Sequence, residues 1–191
     1  EWTLEFNVNM SELGKGLGEL NNQALFGAWG SNGGEIYTRF GDAPIEGNRL
    51  QIKTQGTQMN SKMLFDAKKW YHIAFVCTGT KLYLYVNGVL DNSMSLPGNA
   101  TNITSPINFG NTDYLRADVK VSELRFWTKA RTQAQVLNNM YACDPKSDGL
   151  EAYWKLNEGQ GDTFADATGH GNTGKCVAVP DWEQNVRIDG K

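Results

Sequence analysis

The sequence predicts an all-β protein, a sandwich of two antiparallel sheets, and three neighbouring features carry this prediction. Residues 70–77 are apolar or aromatic at both parities, as in a strand covered on both faces. Residues 81–86 alternate between Leu or Val and Lys or Tyr, as in a half-buried strand. Asn87-Gly88 follows, and this dipeptide favours a two-residue type I′ turn because both residues tolerate positive φ. Three antiparallel strands are therefore expected between Trp70 and Leu90.

The chain begins with a strand in which apolar and polar residues alternate. Apolar residues occupy the even positions from Trp2 to Met10, and polar residues, Glu5 and Asn7 among them, occupy the odd ones. This period of two predicts one face against the core and the other in solvent. Further short strands are predicted at residues 25–29, 36–40, 50–54 and 63–65, with a glycine-rich hairpin connection between the first two.

Later strands are predicted at residues 107–109 and 119–127, and the second of these contains an irregularity. Val121 and Leu124 fall on opposite parities, although both are expected to face the core. One additional residue near Ser122-Glu123 would restore the inward direction, which is the effect of a β-bulge. We therefore expect a bulge in this strand.

One short helix is predicted near residues 132–141. Thr132 and Gln135 match a capping box, and Val136, Leu137 and Met140 recur at helical spacing. Residues 150–156 alternate again and predict a half-exposed strand, which leads into a glycine-rich and Asx-rich loop.

Length, charge and hydropathy narrow the class of protein. The 191 residues suit one large sandwich, so we expect residues 1–191 to form a single domain. The net charge of −3, with mixed signs, gives no basic surface for nucleic acid. The longest apolar run, from Ile73 to Cys77, is too short to span a membrane. No secretory signal is visible, so we expect the chain to derive from a longer precursor.

The three cysteines have different expected roles. Cys77 falls on the buried strand, where it acts as a small apolar residue. A disulfide between Cys143 and Cys176 is left open, because it depends on a Cα separation that the sequence does not show.

Several motifs occur in a familiar order: WYH at the start of the central strand, YVNG at its turn, VSELRFW before the helix, and YWKLNEGQG late in the chain. This order resembles laminin G-like and pentraxin-like domains of the concanavalin A-like lectin/glucanase type. The late block and the terminal WEQNVRID resemble laminin G-like domains of gut-bacterial surface lipoproteins. The resemblance implies a jelly-roll sandwich that binds a glycan or a protein at the outer cell surface or in the periplasm, within a longer multidomain chain.

A glycoside hydrolase is one alternative that the resemblance implies. Retaining enzymes need two carboxylates about 5 Å apart, and glucanases of this fold carry an acidic E-x-D-x-E type run. Here Glu123 stands alone, and Asp113 and Asp118 would lie on opposite faces of a strand. We therefore predict no catalytic residue, although carboxylates from different strands can still converge.

A calcium site is the second alternative. Asp162, Asp166 and Asn172 provide hard oxygen ligands in a loop with enough glycine to curl around an ion, and related domains hold calcium in a comparable loop. The spacing matches no defined calcium loop. The competing interpretation is that Asp166 and Asn172 form Asx-turns and caps.

Carbohydrate binding calls for aromatic rings beside polar side chains. One predicted hairpin supplies such a group, and a second loop adds Tyr114; the candidate ligand-binding residues are Trp29, Tyr37, Arg39, Asp42 and Tyr114. The competing interpretation places Trp29 in the core and pairs Arg39 with Asp42.

A third aromatic pair, Tyr83 and Tyr85, lies on a sheet surface that either faces a groove or is covered. The function predicted from the sequence is a non-catalytic, extracellular, glycan-binding module of a bacterial surface protein, and the main competitor is a structural or protein-interaction domain of a larger polypeptide.

Overall fold

The computed structural model describes residues 1–12, 23–28, 36–40, 48–98, 107–109, 111–112, 115–116, 118–176 and 180–183. The strands of the two large sheets are β1 (Trp2–Met10), β2 (Gln23–Ala28), β3 (Ile36–Phe40), β4 (Leu50–Thr54), β5 (Thr57–Asn60), β6 (Trp70–Cys77), β7 (Lys81–Val86), β8 (Val89–Ser95), β9 (Ile107–Phe109), β12 (Val119–Trp127) and β13 (Leu150–Trp154). Two short hairpins pair β10 (Asn111–Thr112) with β11 (Leu115–Arg116), and β14 (Thr163–Phe164) with β15 (Gly174–Lys175). The helix α1 spans Gln133–Asn138.

Two antiparallel sheets form the sandwich that the sequence predicts. The first has six strands in the order β13-β12-β1-β6-β7-β8, and the second has five in the order β5-β4-β3-β2-β9. Aromatic rings from both sheets interlock between them. The ring centroids of Phe6 and Phe26 lie 6.0 Å apart, and those of Phe26 and Phe75 lie 5.7 Å apart, both edge to face. The core therefore lies between the sheets and leaves their outer faces for other contacts.

Local turn geometry confirms the central hairpin and corrects one strand. Asn87 and Gly88 both have positive φ, 50° and 75°, as the predicted type I′ turn requires. Gln55 and Gly56 form a second turn of positive φ, which the sequence analysis missed, and this turn makes residues 57–60 the strand β5. The prediction of a strand at residues 63–65 is wrong, because β5 already occupies the edge of the five-stranded sheet next to β4.

The predicted bulge is present in β12. Glu5 pairs with Arg125 and Asn7 pairs with Ser122, so the one residue between them on β1, Phe6, opposes two residues of β12, Glu123 and Leu124. Glu123 takes up the additional residue with a φ of 56°, in the left-handed region. Arg125 is thereby turned toward the outer face, beside Glu5.

The polar face of β1 does not lie in solvent, contrary to the expectation from its alternation. Thr3, Glu5 and Asn7 are at most 1% exposed. Thr3 Oγ1 donates to the Lys129 carbonyl at 2.8 Å, and Asn7 Nδ2 donates to the Met140 carbonyl at 3.0 Å. The segment of residues 128–143, named the cover segment here, therefore lies across this face. Alternation shows which residues point away from the core, but it does not show whether another segment covers them.

The helix α1 belongs to the cover segment and confirms the predicted capping box. Thr132 Oγ1 accepts from the Gln135 amide, and the Gln135 side chain accepts from the Thr132 amide. Val136 is fully buried against Ala74, Val76 and Tyr85 on the outer face of the six-stranded sheet. The helix thus attaches the cover segment to the outer face, with Val136 as its buried residue.

The remaining expectations concern cysteines and membrane spans. Cys77 is buried in the core as predicted, and Cys143 and Cys176 are both free thiols. Across the described ranges, no helix is long and apolar enough to cross a membrane.

The turn at Gly88 provides a direct test of how α1 packs. A Cβ at Gly88 would lie 2.5 Å from Leu137 Cδ1 and 3.0 Å from its Cα, whereas a Cβ at Gly56 would meet nothing within 4 Å. Both glycines have a positive φ, so Gly56→Ala measures the backbone strain alone, about 1 kcal/mol. We expect Gly88→Ala to lower the free energy of unfolding by about 1–3 kcal/mol more, as overpacking does. Equal losses in chemical denaturation would contradict the contact between α1 and the hairpin.

Candidate functional site

The outer face of the five-stranded sheet carries a set of polar side chains around one tyrosine. In β3, Ile36, Thr38 and Phe40 point into the core and are buried, so Tyr37 and Arg39 point outward. Pairing between the strands arranges the outward side chains in two adjacent rows that cross the sheet. We call the seven side chains the outer polar face: Tyr37, Arg39, Gln51, Lys53, Gln58, Asn60 and Asn108.

The two rows follow the registers of the strands. Tyr37 pairs with Gly27 of β2 on one side and with Lys53 of β4 on the other. Gln58 continues this row on β5, and Asn108 extends it on β9 beyond Gly27. Because Gly27 has no side chain, the backbone of β2 lies directly beside the Tyr37 side chain.

The second row forms a chain of hydrogen bonds. Arg39 Nε donates to Gln51 Oε1 at 2.8 Å, and Gln51 Nε2 donates to Asn60 Oδ1 at 3.2 Å. Asn92 of β8 in the other sheet donates from Nδ2 to the Asn60 carbonyl at 2.8 Å. The row therefore reaches the edge where the two sheets meet, and Gln51 orients both of its neighbours.

Two cations flank the Tyr37 ring. Arg39 Cζ lies 5.6 Å from the ring centroid, and Lys53 Nζ lies 5.9 Å from it. The side chains of all three residues are half-buried, so they are positioned by their neighbours while remaining partly accessible. An aromatic ring bordered by directional donors is the arrangement that carbohydrate recognition uses.

The structure describes two of the five predicted ligand-binding residues. Tyr37 and Arg39 lie together on the same outward face, as predicted. Trp29, Asp42 and Tyr114 lie outside the described residues. Sequence reasoning missed Gln51, Lys53 and Asn60, because their proximity to Tyr37 and Arg39 depends on the pairing of β3, β4 and β5.

The third aromatic pair is covered. Tyr85 is 9% exposed and packs with Val136 of α1, and Tyr83 packs against the same cluster. The cover segment therefore shields most of the surface around Tyr83 and Tyr85 from solvent. These two rings do not line an open groove.

A second concentration of charge lies beneath the cover segment. Glu5, Arg125 and His72 have fully buried side chains, and that of Arg131 is 6% exposed. Glu5 Oε1 accepts from Arg131 Nη1 at 2.7 Å and from Trp127 Nε1 at 2.8 Å, with Arg125 Nε at 3.5 Å.

The arginines of this cluster are bound on their other sides as well. Arg125 donates from Nη1 to the Asn139 carbonyl at 2.5 Å and from Nη2 to the Met140 carbonyl at 3.1 Å. Arg131 Nη2 donates to Asn139 Oδ1 at 2.5 Å, and its guanidinium lies 3.8 Å from the centroid of the Trp127 ring. Buried charges that are paired in this way stabilise a packed arrangement and are closed to a substrate.

The titration of the cluster follows from burial and from its two guanidinium groups. Burial acts to raise the pKa of Glu5, but the contact with His72 and the charges of Arg125 and Arg131 hold it below its usual value. Burial lowers the pKa of His72, so the imidazole is neutral in the folded protein at neutral pH. His72 Nε2 lies 3.5 Å from Glu5 Oε2, and neither atom has a hydrogen-bond partner within the described chain.

A further carboxylate, Glu123, accepts a hydrogen bond from the Tyr153 hydroxyl. Burial raises the pKa of Glu123, and burial together with this hydrogen bond raises the pKa of Tyr153. Tyr153 is 1% exposed, although the alternation of β13 predicts that it faces solvent. The reason is again a neighbouring residue, because Arg125 Cζ lies 5.6 Å from the centroid of its ring.

The glycine-rich loop holds its own carboxylate. Asp166 Oδ1 accepts from the amides of Tyr153 and Thr168 and from Thr168 Oγ1, at 3.1, 3.0 and 2.7 Å. Asp166 Oδ2 accepts from the amide and Nδ2 of Asn172, at 3.1 and 3.2 Å. Partial burial acts in the opposite direction, but these hydrogen bonds lower the pKa of Asp166 to about 2.

Of the predicted calcium ligands, Asp166 and Asn172 are hydrogen-bonded to each other, and Asp162 has other partners. Asp162 accepts from Thr163 Oγ1 at 3.1 Å, and its other oxygen lies 3.8 Å from Lys175 Nζ. In the part of the chain that the structure describes, no three His, Cys, Asp or Glu side chains are grouped to hold a metal. Both oxygens of Asp166 already accept hydrogen bonds, which supports the competing interpretation of an Asx-turn and cap.

The sequence of the chain matches a known protein family. Residues 1–137 match the family model described as the concanavalin A-like lectin/glucanases superfamily. No curated protein matches the chain.

Several solved structures share the fold. A Bacteroides ovatus protein described as a "putative carbohydrate binding protein" is 24% identical with a TM-score of 0.76, over 98% of this chain and 55% of its own. A SAP-like pentraxin from Limulus polyphemus is 16% identical with a TM-score of 0.56, over 71% of this chain and 67% of its own. Domain 4 of AbnA, an extracellular GH43 arabinanase from Geobacillus stearothermophilus solved with arabinotriose, is 19% identical with a TM-score of 0.51, over 72% of this chain and 65% of its own. The chain thus spans about half the length of the Bacteroides ovatus protein.

The buried cluster predicts a decrease in stability as the pH falls. Because the pKa of His72 is lowered on folding, the unfolded chain binds the proton first, and stability falls as the pH drops below about 6.5. Glu5 adds a second decrease below about 4.5, because its lowered pKa stabilises the fold only while the carboxylate is ionised. Each pKa unit of difference between the folded and unfolded states corresponds to about 1.4 kcal/mol.

His72→Gln tests the decrease in stability that we assign to His72, because it removes the titrating imidazole. Chemical denaturation across this pH range is expected to show a smaller decrease for the variant than for the unaltered protein. His170→Gln is the control, since His170 is exposed. An unchanged profile in His72→Gln would exclude His72 as the source.

The glycine-rich loop predicts a separate effect of Asp166. Asp166→Ala leaves several partly buried donors without an acceptor, so we expect a loss of about 1–3 kcal/mol in the free energy of unfolding. Asp162→Ala is the matched control, with a smaller expected loss. Millimolar calcium or a chelator should leave the melting temperature of the unaltered protein where it is. A calcium-dependent rise that Asp166→Ala abolishes would instead support a calcium site.

Proposed function

The chain belongs to the concanavalin A-like lectin/glucanase superfamily, and we propose that it is a non-catalytic, extracellular module that binds glycans on the outer polar face. The observation that carries this proposal is the Tyr37 ring between Arg39 and Lys53, beside the row from Arg39 through Gln51 to Asn60. Apolar contact and directional hydrogen bonding are thereby available within one surface.

Each part of the outer polar face has a role in this proposal. The Tyr37 ring stacks against the C–H face of a sugar, since pyranose rings expose an apolar side. Gln51 supports the donors and acceptors that receive hydroxyl groups, because it binds Arg39 and Asn60 in one fixed chain. This preorganisation lowers the ordering cost of binding.

The charges on the described strands favour binding over hydrolysis. At the seven positions of the outer polar face, no residue is Asp or Glu, so this face has no pair of carboxylates for glycoside hydrolysis. Glu5 and Glu123 are engaged by Arg131 and Tyr153. A hydrolase remains the competing enzyme class, and turnover of a polysaccharide by this chain would establish it.

The comparisons support the ligand class and the location. One structural neighbour is described as a "putative carbohydrate binding protein". Another is a domain of an extracellular enzyme solved with an oligosaccharide. From the sequence resemblance, we also propose that the module lies on the outer surface of a bacterial cell or in the periplasm, within a longer multidomain lipoprotein.

A protein-interaction role is the second candidate, and a group of exposed apolar side chains favours it. Met63, Leu64, Val89 and Leu90 are 36–62% exposed. Asp91 accepts from the amides of Lys62 and Met63, both at 2.8 Å, and so joins the 62–64 segment to β8. Exposed apolar surface of this kind is typical of contacts between domains.

Tyr37→Ala tests the glycan proposal. Loss of the stacking ring should weaken binding to a glycan-array ligand at least about tenfold, which corresponds to about 1.4 kcal/mol. Tyr141→Ala, which removes an exposed tyrosine of the cover segment on the other sheet, should bind normally. Trp29→Ala extends the test to a second of the three predicted aromatic residues.

Equal affinity in Tyr37→Ala and the unaltered protein would remove the outer polar face as the site. Binding of another domain of the longer chain that is lost on mutation of Leu64 and Val89 to Ser would support the protein-interaction role.

A further inference from the structure

The outer polar face carries charge of one sign at its described positions. Its charged residues are Arg39 and Lys53, and the other five side chains are neutral. The whole chain nevertheless has a net charge of −3. The positive charge is therefore a local property of this face, next to the proposed stacking residue.

Lys53 is placed to reach a ligand on Tyr37. Lys53 pairs directly across the ladder from Tyr37, and its Nζ lies 5.9 Å from the centroid of the Tyr37 ring. It forms no ion pair with the residues that the structure describes. A substituent on the edge of a sugar stacked on Tyr37 would thus lie within hydrogen-bonding reach of the ammonium group.

The surroundings of Lys53 favour an anionic partner. Gln51 accepts from Arg39 Nε in the second row and so orients Arg39 along the surface. The ammonium group of Lys53 is a compact charge with three donors. Gln58, its neighbour on β5, is exposed and neutral. A ligand carboxylate or sulfate would meet no described acidic residue here.

We propose that the outer polar face selects negatively charged glycans, with Lys53 as the specificity-determining residue that pairs with a carboxylate or sulfate group of the ligand. This inference rests on the proposed glycan-binding function. It names the class of ligand as uronate-containing or sulfated polysaccharides.

Two pairs of polymers with matched backbones test the ligand class. Polygalacturonate is compared with its fully methyl-esterified form, and dextran sulfate with dextran, by affinity electrophoresis and calorimetry. We expect the charged member of one pair to bind at least about tenfold more tightly, and its binding to weaken as salt increases. Preference for polygalacturonate identifies the carboxylate, and preference for dextran sulfate identifies the sulfate.

Variants of Lys53 test the residue. Lys53→Gln should lose most of the difference between the charged and neutral polymers, and Lys53→Arg should keep it. Lys81→Gln, on the exposed surface of the other sheet, is the control and should bind as the unaltered protein does. Thermal denaturation of each variant checks that it is folded.

Three results would overturn the inference. Equal or tighter binding of the neutral polymers removes the charge preference and leaves the glycan-binding function standing. A preference for charged polymers that Lys53→Gln retains removes Lys53 as its source. No binding to these four polymers or to a panel of neutral polysaccharides counts against the proposed function and the inference together.

Discussion

The Glu5 carboxylate is buried, and the groups that pair with it hold the cover segment on the outer face of the six-stranded sheet. A buried carboxylate is costly unless it is paired and hydrogen-bonded. Arg131 and Trp127 supply the hydrogen bonds, and Arg125 adds a second positive charge. Arg131 lies just before α1, so the pairing of this one charge draws the cover segment onto the sheet. The Asn139 and Met140 carbonyls then complete the coordination of Arg125, which holds the far end of the same segment.

The two sheets differ in what lies on their outer faces. The six-stranded sheet has its outer face closed by Val136, the cover segment and the buried charges. The five-stranded sheet has an outer face of polar side chains around Tyr37, with hydrogen bonds that run along the surface. The proposed recognition surface therefore lies on the second sheet, while the outer face of the first is covered. Asn92 connects the two, since it donates to the last residue of the second polar row.

Local sequence signals predicted the structure well, and signals that depend on distant neighbours did not. The Asn87-Gly88 turn, the bulge at Glu123 and the cap at Thr132 each depend on a few consecutive residues, and each is confirmed. The burial of Glu5 depends on a segment more than a hundred residues away, so alternation alone predicted a wet face. The same limit applied to the site. Tyr37 and Arg39 could be recognised within one hairpin, whereas Gln51, Lys53 and Asn60 join them only through the register of three strands.

The bulge at Glu123 has a consequence for how this strand tolerates change in length. Its additional residue acts as a phase shift between the two halves of β12, with Arg125 in phase with Glu5 and Val121 in phase with the core. Removal of one residue there would invert the second half of the strand. The guanidinium of Arg125 would then enter the apolar interior, and the ring of Phe126 would take its place above the carboxylate. A single-residue deletion at this bulge would therefore carry the cost of a charge moved into an apolar interior.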